Sequence, residues 1–423
     1  MDVDPLAFRL FDPQVAIGPG RTLNAWGPVY ESETGTREVR RLRIGGTRPS
    51  GSTPDRWTAV AAHVAALMKP TWGIERIRVT EIGLGDGSFQ VLFDGTPKSA
   101  LAVYDAIALP SLQKIAAARS MTPGYSCKDC KIAGCCGTIE EFEGFLGQRS
   151  PGEGTRSVSA RDIEVYETCA AQWHMDMSCH LPKERFSGPA SDRGRLVHHW
   201  IATAHARSQK CSRSDIGDFD EANSFTSTLS AEEYSEVRDY LSRHVDTCPL
   251  GEGIQLISTE APLYGYDKTA DVVIASEPDA VYVDTNGALV IRETKTTTRE
   301  LPKDNREAFD RFFAVPWLLN LFGSGYRGPY HADSGRLELE VISKDESRLY
   351  SWDLHDSGVL RMARAEVRLR AKSWHRDTTW AASPGNHCGW CPVRRWCPDA
   401  HAGEGYGAHD DELSAGLTGE SVN

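Results

Sequence analysis

The stretch TADVVIASEPDAVYVDTNGALVIRETKTTT, residues 269–298, decides the fold of this chain. It predicts an apolar strand that contains Asp271 and, after a turn, a second strand that ends at Lys295. Successive side chains of a strand point to opposite faces, so Glu293 and Lys295 share one face and Thr294 points the other way. We therefore expect Asp271, Glu293 and Lys295 to meet around one divalent cation.

The composition is that of an ordinary soluble globular protein. Hydrophobic residues make up 40% and charged residues 25% of 423 positions, enough for two or three domains. No apolar run approaches the roughly 18 residues that span a bilayer, and the start of the chain lacks the pattern of a signal peptide. We therefore expect a cytoplasmic protein with no membrane partner. A formal net charge of -12 argues against coating nucleic acid through bulk charge, so any DNA contact must be local.

Periodicity and turn residues divide the chain into four predicted segments. These are an N-terminal α+β module at 1–146, a linker at 147–158, a main α/β domain at 159–400 and a disordered acidic tail at 401–423. We predict helices at 57–68, 99–120, 232–244, 306–322 and 357–374, and hairpins at 76–93 and 336–353.

The cysteines repeat one spacing. Cys127, Cys130 and Cys136 form C-x2-C-x5-C, and so do Cys388, Cys391 and Cys397. With 11 cysteines in 423 positions, one such triplet is expected by chance only about 0.01 times. Each triplet follows a hairpin, a long helix and a Pro-Gly pair, which indicates a duplication.

When the first half is aligned with the second at an offset of 252 residues, Arg41 aligns with Glu293 and Arg43 with Lys295. Arginine cannot replace a carboxylate that holds a cation. If the two halves are copies, the first copy is therefore structural or DNA-binding and not catalytic.

Hydrolysis of a phosphodiester needs a cation held by carboxylates, a water that the cation acidifies, and positive charge for the transition state. Asp271 and Glu293 are hard oxygen ligands for Mg²⁺ or Mn²⁺, and Lys295 could orient water or steady negative charge. Asp267 and Asp284 are competing carboxylates. Asp271 is preferred because an unpaired carboxylate inside an apolar run needs a purpose. Without further context, a Glu and Lys pair at a strand end is commonly just a solvated surface pair.

Several motifs supply that context over residues 159–398. They are a helix from Ser159 to a lone Cys169, Gly194 to His198, Ala270 to Val273, Glu293 to Lys295, and the closing Cys388, Cys391 and Cys397. Their order and spacing resemble the RecB-like branch of the PD-(D/E)XK nucleases, in the iron-sulfur subgroup that includes CRISPR-associated RecB-type exonucleases and AddB nuclease domains. The resemblance implies a restriction-endonuclease-like mixed sheet flanked by helices, with an iron-sulfur cluster that links the two ends of the domain.

The same resemblance implies roles for individual residues. His198 would join Asp271 and Glu293 as a cation ligand, with the backbone carbonyl of Thr294 as a further one. The cysteines that would carry a [4Fe-4S] cluster are Cys169, Cys388, Cys391 and Cys397, although a four-cysteine zinc site has the same ligand count.

For the first triplet, Cys127, Cys130 and Cys136, the choice between zinc and a second iron-sulfur cluster stays open. Its fourth ligand would be Cys135 or a remote thiol, for which Cys179, Cys211 and Cys248 are the candidates.

DNA is the expected substrate, cut at single strands or ends. A basic stripe at helical spacing is a candidate DNA track, and its residues are Arg361, Arg364, Arg368, Lys372 and Arg376. No G-x-x-x-x-G-K-[ST] motif is present, so unwinding would need a separate helicase or other protein subunit. The alternative hypothesis is a catalytically inactive DNA-binding subunit of a repair or defence complex, with structural zinc or iron-sulfur sites.

Overall fold

The structure, a computed structural model, describes residues 5–48, 53–150, 155–184, 189–217, 231–326 and 334–400. The predicted acidic tail at 401–423 lies outside these residues. The chain divides into two compact units, Met1–Met121 and Thr122–Asn423. Within the described residues, no helix combines the length and the apolar character that crossing a membrane requires.

The first unit is built on a five-stranded sheet in the order β1-β4-β5-β6-β7 and a separate β2-β3 hairpin. Its strands are β1 (Ala7–Phe11), β2 (Gln14–Gly18), β3 (Arg21–Asn24), β4 (Pro28–Glu31), β5 (Thr36–Arg43), β6 (Arg76–Gly83) and β7 (Phe89–Gly95). Helix α1 (Arg56–Leu67) connects the parallel strands β5 and β6, and Asp55 caps its first turn. The alanine-rich α1 packs on Val39, Ile77 and Val79 to form the core of this unit.

The predicted helix at 99–120 is interrupted. It consists of α2 (Pro97–Val103), a π-helical turn (Tyr104–Ala108) and α3 (Leu109–Ala117). Pro110 has no N–H to donate and its ring displaces the carbonyl four residues earlier, which explains the widened turn directly before it.

The second unit contains two sheets, β10-β13-β14-β15-β16 and β8-β11-β12-β9. The strands are β8 (Glu140–Phe142), β9 (Arg156–Val158), β10 (Gln255–Thr259), β11 (Leu263–Asp267), β12 (Val272–Ser276), β13 (Ala280–Val283), β14 (Leu289–Thr296), β15 (Gly335–Ile342) and β16 (Ser347–Asp353). In the five-stranded sheet, β14 pairs antiparallel with β13 and parallel with β15. This mixed sheet with helices around it is the predicted restriction-endonuclease-like architecture.

Seven helices surround these sheets in the described part of the second unit. They are α4 (Ala160–Thr168), α5 (Ala170–Trp173), α6 (Pro189–His205), α7 (Ala231–Thr247), α8 (Asn305–Arg311), α9 (Ala314–Gly323) and α10 (Ser357–Arg376). Ser159 caps α4, and Ser159 and Asp162 form a capping box. The predicted helix at 306–322 is two helices, because Phe312 adopts an extended conformation between α8 and α9. Trp317, Trp374 and Leu339 lie in the central core between α9, α10 and the sheet.

The boundary between the units differs from the prediction. It falls after Met121 and not after residue 146, because the first cysteine motif and β8 belong to the second unit. Strand β8 pairs with β11, and β9, from the predicted linker, pairs with β12. The first cysteine motif packs against Tyr264 and Tyr266 of β11 and Val273 of β12.

The pairing register of the strands repeats between the two units, in agreement with the offset read from the sequence. Val29 of β4 opposes Val39 of β5, and Val281 of β13 opposes Ile291 of β14, so the paired positions of the two sheets differ by a constant 252. Edge strands β1 and β10 pair with β4 and β13, each with a register shift after its second paired residue. The next strands, β6 and β15, are parallel to β5 and β14 in both units. The two sheets therefore share strand order, direction and register.

The two cysteine motifs also share a backbone conformation. Gly124 and Gly385 are both fully extended, and each donates its N–H to the first cysteine Sγ at 3.4 Å. Ile132 and Val393, before the third cysteine of each motif, have φ near -114°. The repeated sequence spacing therefore gives the same local fold twice.

Candidate metal centre

Asp279 brings the candidate site together at the start of β13. Its Oδ1 lies 2.9 Å from Nδ1 of His198 on α6. Its Oδ2 accepts the backbone N–H of Thr294 at 2.6 Å. Because Ala280 opposes Arg292 in the ladder, Asp279 lies beside the end of β14 that carries Glu293.

Glu293 and Lys295 lie on one face of β14, as the strand period predicts. Lys295 Nζ donates to Glu293 Oε1 at 2.5 Å, and Glu293 is largely buried while Lys295 is one-third exposed. The opposite face of the strand is also polar, since Arg292 binds Glu338 and Glu340 of β15 there. The two faces of β14 therefore carry separate charge clusters.

Glu260 is a further carboxylate at this site. Ligand atoms of His198, Glu260 and Asp279 all lie within 4.8 Å of one another. Glu260 has a positive φ of 45°, and its backbone N–H donates to the carbonyl of Asp279. This donor set of carboxylates and one imidazole suits Mg²⁺ or Mn²⁺.

Burial and mutual charge shape the electrostatics of the cluster. Burial raises the pKa of Glu293 above its ordinary value, and Asp279 adds to that shift against the opposing effect of Lys295. Burial is the largest single effect on Asp279 and would raise its pKa, but His198, Lys295 and the Thr294 N–H together lower the pKa of this carboxyl. Burial opposes protonation of His198, yet Asp279 raises the pKa of that imidazole. Carboxylates held together with little solvent favour a cation as a partner.

The structure corrects the position of Asp271. This residue lies in the turn between β11 and β12 with a φ of 54°, and not inside a strand. Its Oδ1 accepts hydrogen bonds from Thr155 Oγ1 and Tyr266 Oη, both at 2.7 Å. The apolar run that follows it is β12 of the four-stranded sheet, which does not pair with β14. Asp279, and not Asp271, lies with His198 and Glu293.

The other carboxylates weighed from sequence have local partners. Asp267 is fully buried and accepts backbone N–H groups, among them those of Gly144 and Leu146. Asp284 binds Arg336 and closes the β13-β14 turn by accepting the N–H groups of Asn286 and Ala288. Both side chains thus serve the fold.

A cleft of about 710 Å³ opens over Glu293 and Lys295. The N-terminal turn of α4, α9 and the strands β11 and β12 form its walls. Its rim carries Lys128 and Asp129 of the first cysteine motif and Arg161 of α4. The candidate catalytic pair is therefore open to a large ligand from one side.

The four cysteines expected to bind a cluster line one cavity. Cys169 directly follows α4, and Cys388, Cys391 and Cys397 follow α10. Burial raises the pKa of Cys391 to about 11, and the other three sulfurs add to the shift. In the part of the chain that the structure describes, these four do not form a group with ligand atoms within 4.8 Å of one another. A single zinc ion would hold cysteine sulfurs about 3.8 Å apart, so the arrangement is wider than a zinc site.

The first cysteine motif is less complete. Cys127, Cys130 and Cys136 pack against the same aromatic patch, whereas Cys135 is exposed and donates its thiol to the carbonyl of Ile132. Of the remote thiols, Cys179 is exposed beside His174. Cys211 and Cys248 lie together in a different cluster. The structure therefore places none of the three remote thiols in the first motif, and Cys135 is the only candidate within it.

The basic stripe forms one solvent-exposed face of α10. Arg361, Arg364, Arg368, Lys372 and Arg376 are all exposed. Arg368 also donates to the carbonyl of Gly144 at 2.8 Å, so it has a structural partner. Arg370, between them in sequence, is partly covered and binds Glu167.

Sequence reasoning missed Asp279 and Glu260. Pro278-Asp279 precedes the apolar run 280–283, and the pair Glu293 and Lys295 follows 14 residues later. This Pro-Asp followed by Glu-x-Lys was a readable signal. Glu260 had none, since only the strand pairing brings it to Asp279.

The comparison with protein-family models matches residues 157–398 to the PD-(D/E)XK nuclease superfamily. This match covers more than half of the chain, and the chain belongs to that superfamily. No curated protein matches the sequence.

Two solved structures align with part of this chain. One, from Eubacterium rectale and provisionally described as an exonuclease, is 13% identical, with a TM-score of 0.35 over 62% of this chain and 94% of that chain. The other, SSO0001, is 14% identical, with a TM-score of 0.24 over 56% of this chain and 96% of that chain. These TM-scores are too low to establish a shared fold.

Proposed function

We propose that this member of the PD-(D/E)XK nuclease superfamily is a Mg²⁺- or Mn²⁺-dependent deoxyribonuclease. The observation that carries the proposal is the meeting of His198, Asp279, Glu293 and Lys295 at one end of the β13-β14 pair. Asp279 takes the place that the sequence assigned to Asp271. Glu260 and the backbone carbonyl of Thr294 complete the candidate ligands.

The residues fit the chemistry of phosphodiester hydrolysis. A bound divalent cation would polarise the phosphate and acidify an attacking water. His198, Asp279 and Glu293 would hold that cation, since hard oxygen ligands with an imidazole suit it. Lys295 places an ammonium group beside Glu293, where it can steady the charge that develops on the phosphate.

The cleft supports a nucleic-acid substrate. Its volume of about 710 Å³ exceeds the needs of a single nucleotide. Lys128 and Arg161 line it together with acidic residues, so a bound cation would supply much of the charge that a phosphate needs. We propose that single strands or strand ends enter this cleft along the basic face of α10. Unwinding of duplex DNA is assigned to a separate helicase or other protein partner.

We further propose a [4Fe-4S] cluster on Cys169, Cys388, Cys391 and Cys397, the feature of the RecB-like subgroup. One ligand precedes the catalytic sheet in sequence and three follow it, so the cluster would join the two ends of the domain. Anaerobically purified protein should be brown and absorb light at about 400 nm. Cys169→Ser should lose this band and the bound iron, and Cys179→Ser should keep both. A colourless, iron-free wild-type protein would contradict this assignment.

Lys295→Ala tests the nuclease itself. The variant should lose Mn²⁺-dependent cleavage of single-stranded DNA while it keeps the fold and DNA binding, because Lys295 is one-third exposed and pairs with Glu293 rather than packing in the apolar core. Circular dichroism and a binding titration in EDTA provide the controls. A wild-type chain that binds DNA and cleaves none, with Mg²⁺ or Mn²⁺, would identify a non-catalytic DNA-binding subunit instead.

A further inference from the structure

We propose that His205, Cys211, His244 and Cys248 bind one structural zinc ion. All four side chains are buried, and one ligand atom from each lies within 4.8 Å of the others. His205 ends α6, Cys211 follows in the next segment, His244 lies in the last turn of α7, and Cys248 comes directly after it. None of the four takes part in the candidate catalytic site.

The distances fit a tetrahedral ion. His205 Nε2 lies 3.1 Å from His244 Nε2 and 3.6 Å from Cys248 Sγ. Zinc bonds of about 2.0–2.1 Å to nitrogen and 2.3 Å to sulfur put two nitrogens about 3.3 Å apart and a nitrogen and a sulfur about 3.6 Å apart. The backbone N–H of Cys211 also donates to Cys248 Sγ at 3.3 Å, a contact that suits a thiolate ligand. The ligands therefore need little rearrangement to accept the ion.

A carboxylate behind one imidazole orients it. Nδ1 of His244 lies 3.0 Å from Oε2 of Glu340, and both side chains are fully buried. A histidine that donates Nδ1–H to a carboxylate presents the lone pair of Nε2 to the other side, which here is the cluster. Arg292 binds the same carboxylate at 3.3 Å and balances its charge.

The donor set selects the metal and its role. Two thiols and two imidazoles suit zinc, and four protein ligands leave no open position for a substrate, as in structural sites. The surroundings are apolar, with Val237, Leu241 and Ile201 in the same core. Two thiols and two imidazoles gathered in such a place are unusual, and a shared metal ion would explain why they face one another.

The position of the ion suggests what it stabilises. His205 lies seven residues, about two helical turns, after His198 on α6. Glu340 lies on β15 opposite Thr294 of β14, the strand that carries the candidate catalytic pair. Zinc would therefore hold α6 and α7 against the back of the catalytic sheet.

Metal analysis of the full-length protein after dialysis against EDTA tests the proposal. The double variant Cys211→Ser/Cys248→Ser should contain one zinc ion per chain less than the wild type. Cys179→Ser, which removes an exposed thiol outside the cluster, should match the wild type. Lys295→Ala should also keep its zinc while losing cleavage, which separates this proposal from the nuclease assignment. Equal zinc in the double variant and the wild type would overturn the site.

The unaltered cluster gives a second measurement if the double variant does not fold. The variant Cys127→Ser/Cys130→Ser disables the first cysteine motif and leaves the cluster intact. X-ray absorption spectroscopy at the zinc edge of this variant should show a zinc ion with two sulfur and two nitrogen ligands. A sulfur-only shell, absence of zinc, or a disulfide between Cys211 and Cys248 in a thiol titration would each overturn the proposal.

Discussion

The two five-stranded sheets of this chain have the same strand order and register but opposite chemistry at one place. The positions of Asp279, Glu293 and Lys295 in the second unit correspond, at the offset of 252, to Gly27, Arg41 and Arg43 in the first. In the second unit this place gathers carboxylates with one imidazole and one amine. In the first, both carboxylates are absent. The two sheets therefore share a fold but not the candidate catalytic residues.

The first sheet carries ion pairs at the positions where the second carries the proposed cation site. Glu81 of β6 is buried and binds Arg43 at 2.7 Å, and Arg41 binds Asp55 at 2.6 Å. Glu81 opposes Arg41 in the ladder, where β15 offers the apolar Leu339 to Glu293. The arginine side chains at these positions already neutralise the neighbouring carboxylates, so no unpaired negative charge there favours a cation.

The largest expected difference is in the rate of DNA cleavage after substitution of Glu293 or of Arg41, which occupies the corresponding position. Glu293→Ala should lower the rate of Mn²⁺-dependent DNA cleavage on the order of 10³-fold, because it removes a cation ligand. Arg41→Ala should leave the cleavage rate of the folded protein within about a factor of two, since it lies at the corresponding position of a sheet without a cation. Single-turnover cleavage of labelled DNA measures both. A comparable decrease in Arg41→Ala would mean that the first sheet takes part in the chemistry.

A second difference concerns backbone space. Gly27 has a φ of 135°, and a Cβ added there would lie 2.1 Å from the carbonyl oxygen of Arg40. Gly27→Asp should therefore destabilise the first unit by about 2 kcal/mol or more, so that β4 cannot regain the missing carboxylate. Hydrogen exchange of peptides from β4 and β5 in the full chain measures this, with Gly20→Asp, which meets open space at a positive φ, as the control. Unchanged exchange in Gly27→Asp would contradict the steric explanation.

The smallest expected effect concerns the basic face of α10. For single-stranded DNA, the logarithm of the binding constant falls linearly with the logarithm of the salt concentration. In Arg364→Ala/Lys372→Ala the magnitude of this slope should be smaller by about 1.4, or about 0.7 for each phosphate that is no longer neutralised. Lys303→Ala/Lys344→Ala removes two exposed lysines outside α10 and should not change it. Equal slopes for both variants and the wild type would show that DNA does not follow α10.

The sequence predicted those features that depend on local pattern. The strand period placed Glu293 and Lys295 on one face, and the repeated cysteine spacing indicated two motifs that share one backbone conformation. Asp279 was missed because two apolar runs, 272–275 and 280–283, are equally good strands. Which of them pairs with β14 depends on long-range packing that periodicity does not report.

The cluster of His205, Cys211, His244 and Cys248 was missed for a related reason. Its ligands come from two helices and the segments that follow them, with spacings that match no familiar zinc pattern. Only the packing of α6 against α7 brings them together. In the sequence, Cys211 and Cys248 stand out solely as remote ligands for the first cysteine motif.

Asp279, and not Asp271, completes the proposed catalytic centre. Parallel cleavage assays of Asp279→Asn and Asp271→Asn with Mn²⁺ distinguish the two residues, because both substitutions remove one negative charge from a carboxylate that is hydrogen-bonded in the structure. We predict that Asp279→Asn loses cleavage and that Asp271→Asn retains it once folded. Retained cleavage in Asp279→Asn, with loss of cleavage in a folded Asp271→Asn, would show that the cation site is built on Asp271 instead.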